Sequence, residues 1–187
     1  MALNLEKQLV FYGAYHHNPV NIAIHMTCVP IILLTAIQLA SNSGTLISLP
    51  DFLQIKNLPP NLGTIVAFVY SFGYLLLEPV AGAILAPVLI AGTAFMNHLT
   101  STYGTTATYW SAGIHVVSWL AQFLGHGRFE GRAPALLDNL FQALFLAPLF
   151  VWMEFLFFLG YRPELKVRLD QAVEKEIAKF KKGQRDG

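Results

Sequence analysis

No Asp, Glu, Lys or Arg lies between Lys7 and Asp51, and none lies from Pro79 to Gly127, a run of 49 residues. A water-soluble domain of ordinary composition does not leave stretches of that length without charge. One membrane-crossing helix needs roughly 20 apolar residues, so the second stretch has room for two. The whole chain agrees: 187 residues, 55% hydrophobic, 12% charged, mean hydropathy +0.50. The expected fold class is all-α, a polytopic membrane helix bundle of four to five spans, with membrane lipid as its surroundings. A net charge of +1 gives no basis for nucleic-acid binding. Cys28 is the chain's one cysteine, which rules out an internal disulfide and argues against a cysteine-built metal site. The opening "MALNLEKQLV" lacks the basic-then-apolar layout of a cleaved signal peptide.

Punctuation along the chain places the elements. Asn4 can cap a short helix reaching Phe11, with Gly13 loosening the chain afterwards. Asn18-Pro19 reads as an N-cap followed by a proline at the first helical position, so a helix runs from Pro19 to about Ala40, kinked at Pro30. Residues 41–61 are turn-rich and read as a loop on the membrane surface. Leu62 to Leu77 and Pro79 to Met96 are the second and third apolar runs. A polar break over 97–108 precedes a fourth span from Tyr109 to Leu124. The charged, glycine-rich "GHGRFEGRAP" reads as a loop, and Ala135 to Tyr161 as a fifth run bent at Pro148.

From Pro163 the pattern changes. Leu165, Leu169, Val173, Ile177 and Phe180 recur every three or four residues, while lysines and arginines occupy other faces. That predicts a basic amphipathic surface helix, with the lysine excess placing the C-terminus in the cytosol. Two segments are therefore expected, a helical membrane catalytic domain over 1–162 and a tail over 163–187.

The six histidines point to the chemistry. Three fall within "YHHNPVNIAIH", where a membrane helix is expected to begin, and polar side chains at such depth are costly and usually mark a site. His25 lies two turns into the helix with Asn21 one turn before it, and either His16 or His17 can fold over the helix start. Farther on, His115, Trp119, Gln122 and His126 share one narrow helical stripe. A straight helix nevertheless separates His115 from His126 by ~16 Å. Unless the chain breaks near Gly125 and Gly127, His115 therefore serves a second metal or the substrate channel. Glu130, four residues after His126, is positioned as a carboxylate ligand or as an acceptor that fixes the imidazole tautomer. Arg128 and Arg132 flank it and can receive an anionic headgroup. Glu78 is expected to face water, Glu154 has no visible partner, and His98 reads as a loop residue. Neutral imidazoles with carboxylates suit iron or zinc alike. The histidine boxes of membrane di-iron desaturases are absent, as is the serine-hydrolase G-x-S-x-G.

Three blocks, "YHHNPVNIAIHMTCVP", "WLAQFLGHGRFEGRAPALLDNLFQALFLAP" and "EFLFFLGYRPEL", resemble in order and spacing the 2-hydroxy fatty acid dioxygenases, formerly a domain-of-unknown-function group, which serve phytosphingosine breakdown. The resemblance covers roughly Leu5 to Leu169. Carried over residue by residue, the family pattern falls on His16, Asn21, His25, Gln122, His126 and Glu130, and the eukaryotic branch adds a histidine at His115. The resemblance implies an Fe(II)-dependent enzyme of the endoplasmic reticulum membrane. With O2 as co-substrate it would cleave a long-chain 2-hydroxy fatty acid to CO2 and a fatty acid one carbon shorter (fatty acid α-oxidation). His16, His25, His115 and His126 would be the candidate ligands. His25, His126 and Glu130 would be the catalytic group, and Arg128, Arg132, Asn21 and Gln122 would handle substrate. Two other readings use the same residues: a zinc-dependent membrane lipid hydrolase, and a non-enzymatic lipid-binding protein with structural histidines. Oligomeric state is not encoded in any of these features.

Overall fold

A computed structural model describes residues 4–131 and 139–183, all helices and connecting turns. Helix α1 spans Leu5–Tyr15. Asn4 caps it as expected, its side-chain oxygen accepting the Lys7 N–H at 3.0 Å. The helix continues four residues beyond Phe11, however, with Gly13 inside it. Helix α2 spans Pro19–Ser41 with Pro30 in its interior, and the Asn18 side chain accepts the Val20 N–H at 2.9 Å. A single 3-10 turn, Asp51–Leu53, interrupts the following loop. Helix α3 is Leu62–Leu77, capped by Asn61 through the Thr64 N–H.

The expected polar break is the largest correction. Helix α4 runs from Pro79 to Tyr103, and α5 resumes at Thr105 and reaches Gly125. Only Gly104 separates them, at φ +52°, a conformation that suits glycine. The polar side chains read as loop-forming are hydrogen-bonded instead. Asn97 is buried, accepting from the Asn61 amide at 2.7 Å and donating to Thr64 Oγ1 at 3.0 Å. The Thr100 hydroxyl donates to the Met96 carbonyl one turn back. His98 is accordingly an exposed helical residue. Glu78, at the α3–α4 junction, is buried rather than facing water.

Where a loop was expected after α5, the chain goes directly into a π-helical turn, His126–Glu130. A second π turn, Gln142–Leu146, leads into α6, Ala147–Phe158. Pro148 follows on this π turn inside a helical run that is unbroken from residue 140 to 158, so the proline and the widened turn occur together. Helix α7, Pro163–Gly183, follows after a bend of 119°.

Helices α2 and α4 are long and apolar enough to cross a membrane. Counting α6 with α7 as one bent span gives three among the described residues, against the four to five expected. Helix α3 has only 16 residues, and α5 carries Thr, Ser, His and Gln along its length. Both still turn large apolar side chains outward, among them Phe68, Phe72, Val117 and Leu120, as a lipid surrounding requires.

The chain forms two compact units. One comprises Thr27–Ala121 and includes α3 and α4, which pack closely on one another. The other joins the N-terminal segment through Met26 to the segment from Gln122 onward. In it α7 lies along α1, with Leu165 and Leu169 buried and Arg168 reaching Glu6 at 3.4 Å. Part of the stripe read as membrane-facing thus packs against protein.

Candidate metal centre

Three segments of the second unit deliver one imidazole each. His16 comes from the end of α1, His25 from the second turn of α2, and His126 from the first position of the π turn. All three are buried. One ligand atom from each lies within 4.8 Å of the other two, an arrangement able to hold a metal ion. Their ring centroids are 4.3 to 4.9 Å apart and the planes meet at 69 to 80°, edge toward face rather than stacked. Several rings directed at one point adopt that relation.

Hydrogen bonds fix which nitrogen is available. His16 Nδ1 lies 2.9 Å from the Tyr12 carbonyl, and His25 Nδ1 lies 3.0 Å from the Asn21 carbonyl. A carbonyl oxygen only accepts, so each Nδ1 carries the proton and each Nε2 keeps its lone pair. Backbone-anchored imidazoles of this kind are the usual metal-binding form. Burial, reinforced by His25 nearby, holds the His16 pKa well below the ordinary imidazole range and keeps the ring neutral. The ring also stacks on Tyr12 at 4.0 Å, and Tyr12 in turn lies against Phe150. Burial, with a smaller contribution from Glu154, pushes the Tyr12 phenol far above its usual range.

Glu130 joins the segments. Its Oε1 accepts from the His17 N–H (2.9 Å), the Asn18 N–H (2.9 Å) and the Asn21 side-chain amide (3.0 Å). Its Oε2 lies 2.6 Å from His17 Nδ1, and the side chain is 1% exposed. A carboxylate at the start of α2 satisfies otherwise orphaned N–H groups and complements the helix dipole. Because Glu130 closes the turn that begins with His126, the same contacts tie the third imidazole to the first two. Gly125 makes that approach possible. A Cβ there would stand 2.4 Å from the Asn21 side-chain oxygen.

His126 is buried on the same stripe as Ser118 and Gln122, as the α-helical spacing predicts, and the π turn begins with it. Sequence periodicity assumed an α-helical stripe followed by a loop, whereas an extra residue per turn re-aims the side chains after His126, Glu130 among them. His115 is not one of the group. Trp119 Nε1 donates to its Nε2 at 3.0 Å, so Nδ1 holds the proton and donates to Thr35 Oγ1 at 2.8 Å. Thr35 passes its own hydrogen to the Ile31 carbonyl. Both nitrogens of His115 are engaged, and neither offers a lone pair to a metal.

Of the expected substrate residues, Gln122 is buried one turn before His126, and its Nε2 has no hydrogen-bond partner. Asn21 is wholly buried, its amide committed to Glu130. Arg128 is exposed on the π turn, and Arg132 lies outside the described residues. The choice between His16 and His17 resolves by role: His16 joins the cluster while His17 contacts Glu130. Two features went unread in the sequence, the π turn and Tyr12. The spacing of Tyr12 four residues before His16 was the available signal for the latter.

Residues 2–159 match the profile of a family described as Mpo1-like, 2-hydroxy-palmitic acid dioxygenase Mpo1-like. The chain belongs to this family. Among curated proteins it is similar to the Saccharomyces cerevisiae 2-hydroxy-palmitic acid dioxygenase MPO1. The two are 37% identical over 172 residues, covering 92% of this chain and 91% of that protein. No solved structure matches the chain.

Proposed function

We propose that this chain is a dioxygenase of long-chain 2-hydroxy fatty acids. His16, His25 and His126 would hold Fe(II), and O2 would be the co-substrate. The balanced reaction takes a 2-hydroxy acid and O2 to a fatty acid one carbon shorter, CO2 and water. The bond between the carboxyl carbon and C2 breaks, and C2 becomes the new carboxyl group. The observation that carries this reading is the pair of backbone-anchored imidazoles, each left with an open Nε2 beside His126. Family membership supplies the substrate class.

Three neutral imidazoles suit Fe(II), and three ligands leave open positions for substrate and O2. Bound iron would supply the redox chemistry with O2 that no side chain provides. The chain's own groups do the rest. Glu130 positions the ligand-bearing segments against one another. The Gln122 amide, a buried donor in need of an acceptor, is suited to the substrate's hydroxyl or carboxylate oxygen. Arg128, exposed two residues after His126, is placed to draw the carboxylate from the interface, and Arg132 would assist it. The apolar outer surfaces of α2 to α5 keep the protein in the membrane, where this substrate resides. An endoplasmic reticulum location with a cytosolic C-terminus fits the lysine-rich face of α7.

The test is anaerobic purification with iron, then mass spectrometry of 2-hydroxypalmitate incubated with and without O2. Conversion to the fifteen-carbon acid that requires both iron and O2 is expected. Activity that follows zinc and ignores O2 would establish a hydrolase instead. If Arg128→Ala left apparent substrate affinity unchanged, that residue's assigned role would fall.

A further inference from the structure

Helix α7 lies beyond the residues the family profile matches, yet it walls a cavity that reaches His16, one of the three clustered histidines. The cavity holds about 420 Å³, and its lining residues all belong to the unit that carries the three histidines. Its size falls within the ~300–1,000 Å³ of small-ligand sites. His16 and His17 contribute imidazoles to its lining. Helix α7 supplies Leu169, Val173 and Ile177, faced by Leu9 of α1 and Phe157 of α6. Seating of α7 on α1 is direct, since a Cβ at Gly13 would stand 2.7 Å from Val173 Cγ2. The wall is therefore held in place rather than loosely draped.

From this we infer that α7 is the chain-length ruler of the enzyme, its Leu169–Val173–Ile177 face receiving the acyl tail of the 2-hydroxy acid. This rests on the dioxygenase reading above. Charge sets the orientation. Glu154, Asp170 and Glu174 also line the cavity, and the one lysine there, Lys166, is paired with Asp170. A substrate carboxylate is repelled by Glu154 of α6 and by Asp170 and Glu174 of α7 itself and settles toward His16 and His17, which leaves the aliphatic side chains Leu169, Val173 and Ile177 for the tail. An amphiphile with one anionic end and one long apolar end matches the two imidazoles and the aliphatic side chains of the lining.

Ile177→Trp fills the cavity and Ile177→Ala enlarges it, at a position only partly buried. We expect Ile177→Trp to lower the ratio of kcat/KM for 2-hydroxypalmitate over 2-hydroxyoctanoate by about tenfold or more, as pocket discrimination by methylene number predicts. Ile177→Ala should move that ratio the other way for still longer chains, and neither variant should change iron per chain. A second readout needs no turnover: a diazirine-tailed 2-hydroxy acid should crosslink to α7 peptides of the wild-type protein. A ratio that moves less than twofold in both variants, or crosslinks that avoid α7, overturns the assignment. Failure of the parent reading looks different, since the wild-type protein would then turn over neither acid.

Discussion

Two histidine environments in this chain look alike in sequence and differ in what they can do. His115 sits on a helix among apolar residues, as His25 does, and both lie in uncharged stretches. At His25 one nitrogen is given to a backbone carbonyl and the other is left open beside two more rings. At His115 a tryptophan and a threonine use both. An imidazole can offer a metal its second nitrogen only where no other donor takes it up, and the indole of Trp119 takes it up at His115.

That contrast can be broken at graded strength. Replacing His25 or His126 with alanine should have the largest effect, abolishing both bound metal and turnover; activity surviving either substitution would remove the assignment. Next comes Glu130→Ala, which should weaken metal affinity by roughly 10–100-fold, the usual effect of losing an outer-shell partner. Titration with iron or cobalt reads it directly, and Glu130→Gln should recover part of the loss because its amide oxygen still accepts the backbone N–H groups. Gly125→Ala forces Asn21 to move and should destabilise by about 1–3 kcal/mol, visible as a lower Tm in detergent. His115→Phe should be mildest, costing about 1–2 kcal/mol through the lost hydrogen bonds while metal content stays at the wild-type level. Loss of metal in that variant would mean that the two environments are not distinct.

Much of the architecture could be read directly. Asn4 and Asn18 announced two helix starts because an N-cap acts within three residues. The uncharged runs announced apolar helices. What stayed hidden depends on partners far away in the chain. Asn97 and Thr100 looked like loop residues because polarity alone does not reveal that Asn61, Thr64 and the Met96 carbonyl take up their hydrogen bonds. The π turn just before Pro148 leaves no mark in hydropathy, so it stayed hidden as well.

The site divides in the same way. His16, His25 and His126 were nameable from spacing and resemblance. That His115 stands apart from the cluster is visible only in its contacts with Trp119 and Thr35, and the partners of Glu130 lie more than 100 residues away in sequence. The apolar stripe of α7 was visible as a stripe, but α1 as its cover was not.

The most direct test of the three-imidazole centre is iron per chain, measured by plasma mass spectrometry on wild type, His126→Ala and His115→Phe purified side by side without oxygen. The account predicts near one iron for wild type and His115→Phe, and near none for His126→Ala. Full iron in His126→Ala, or its loss from His115→Phe alone, would contradict it.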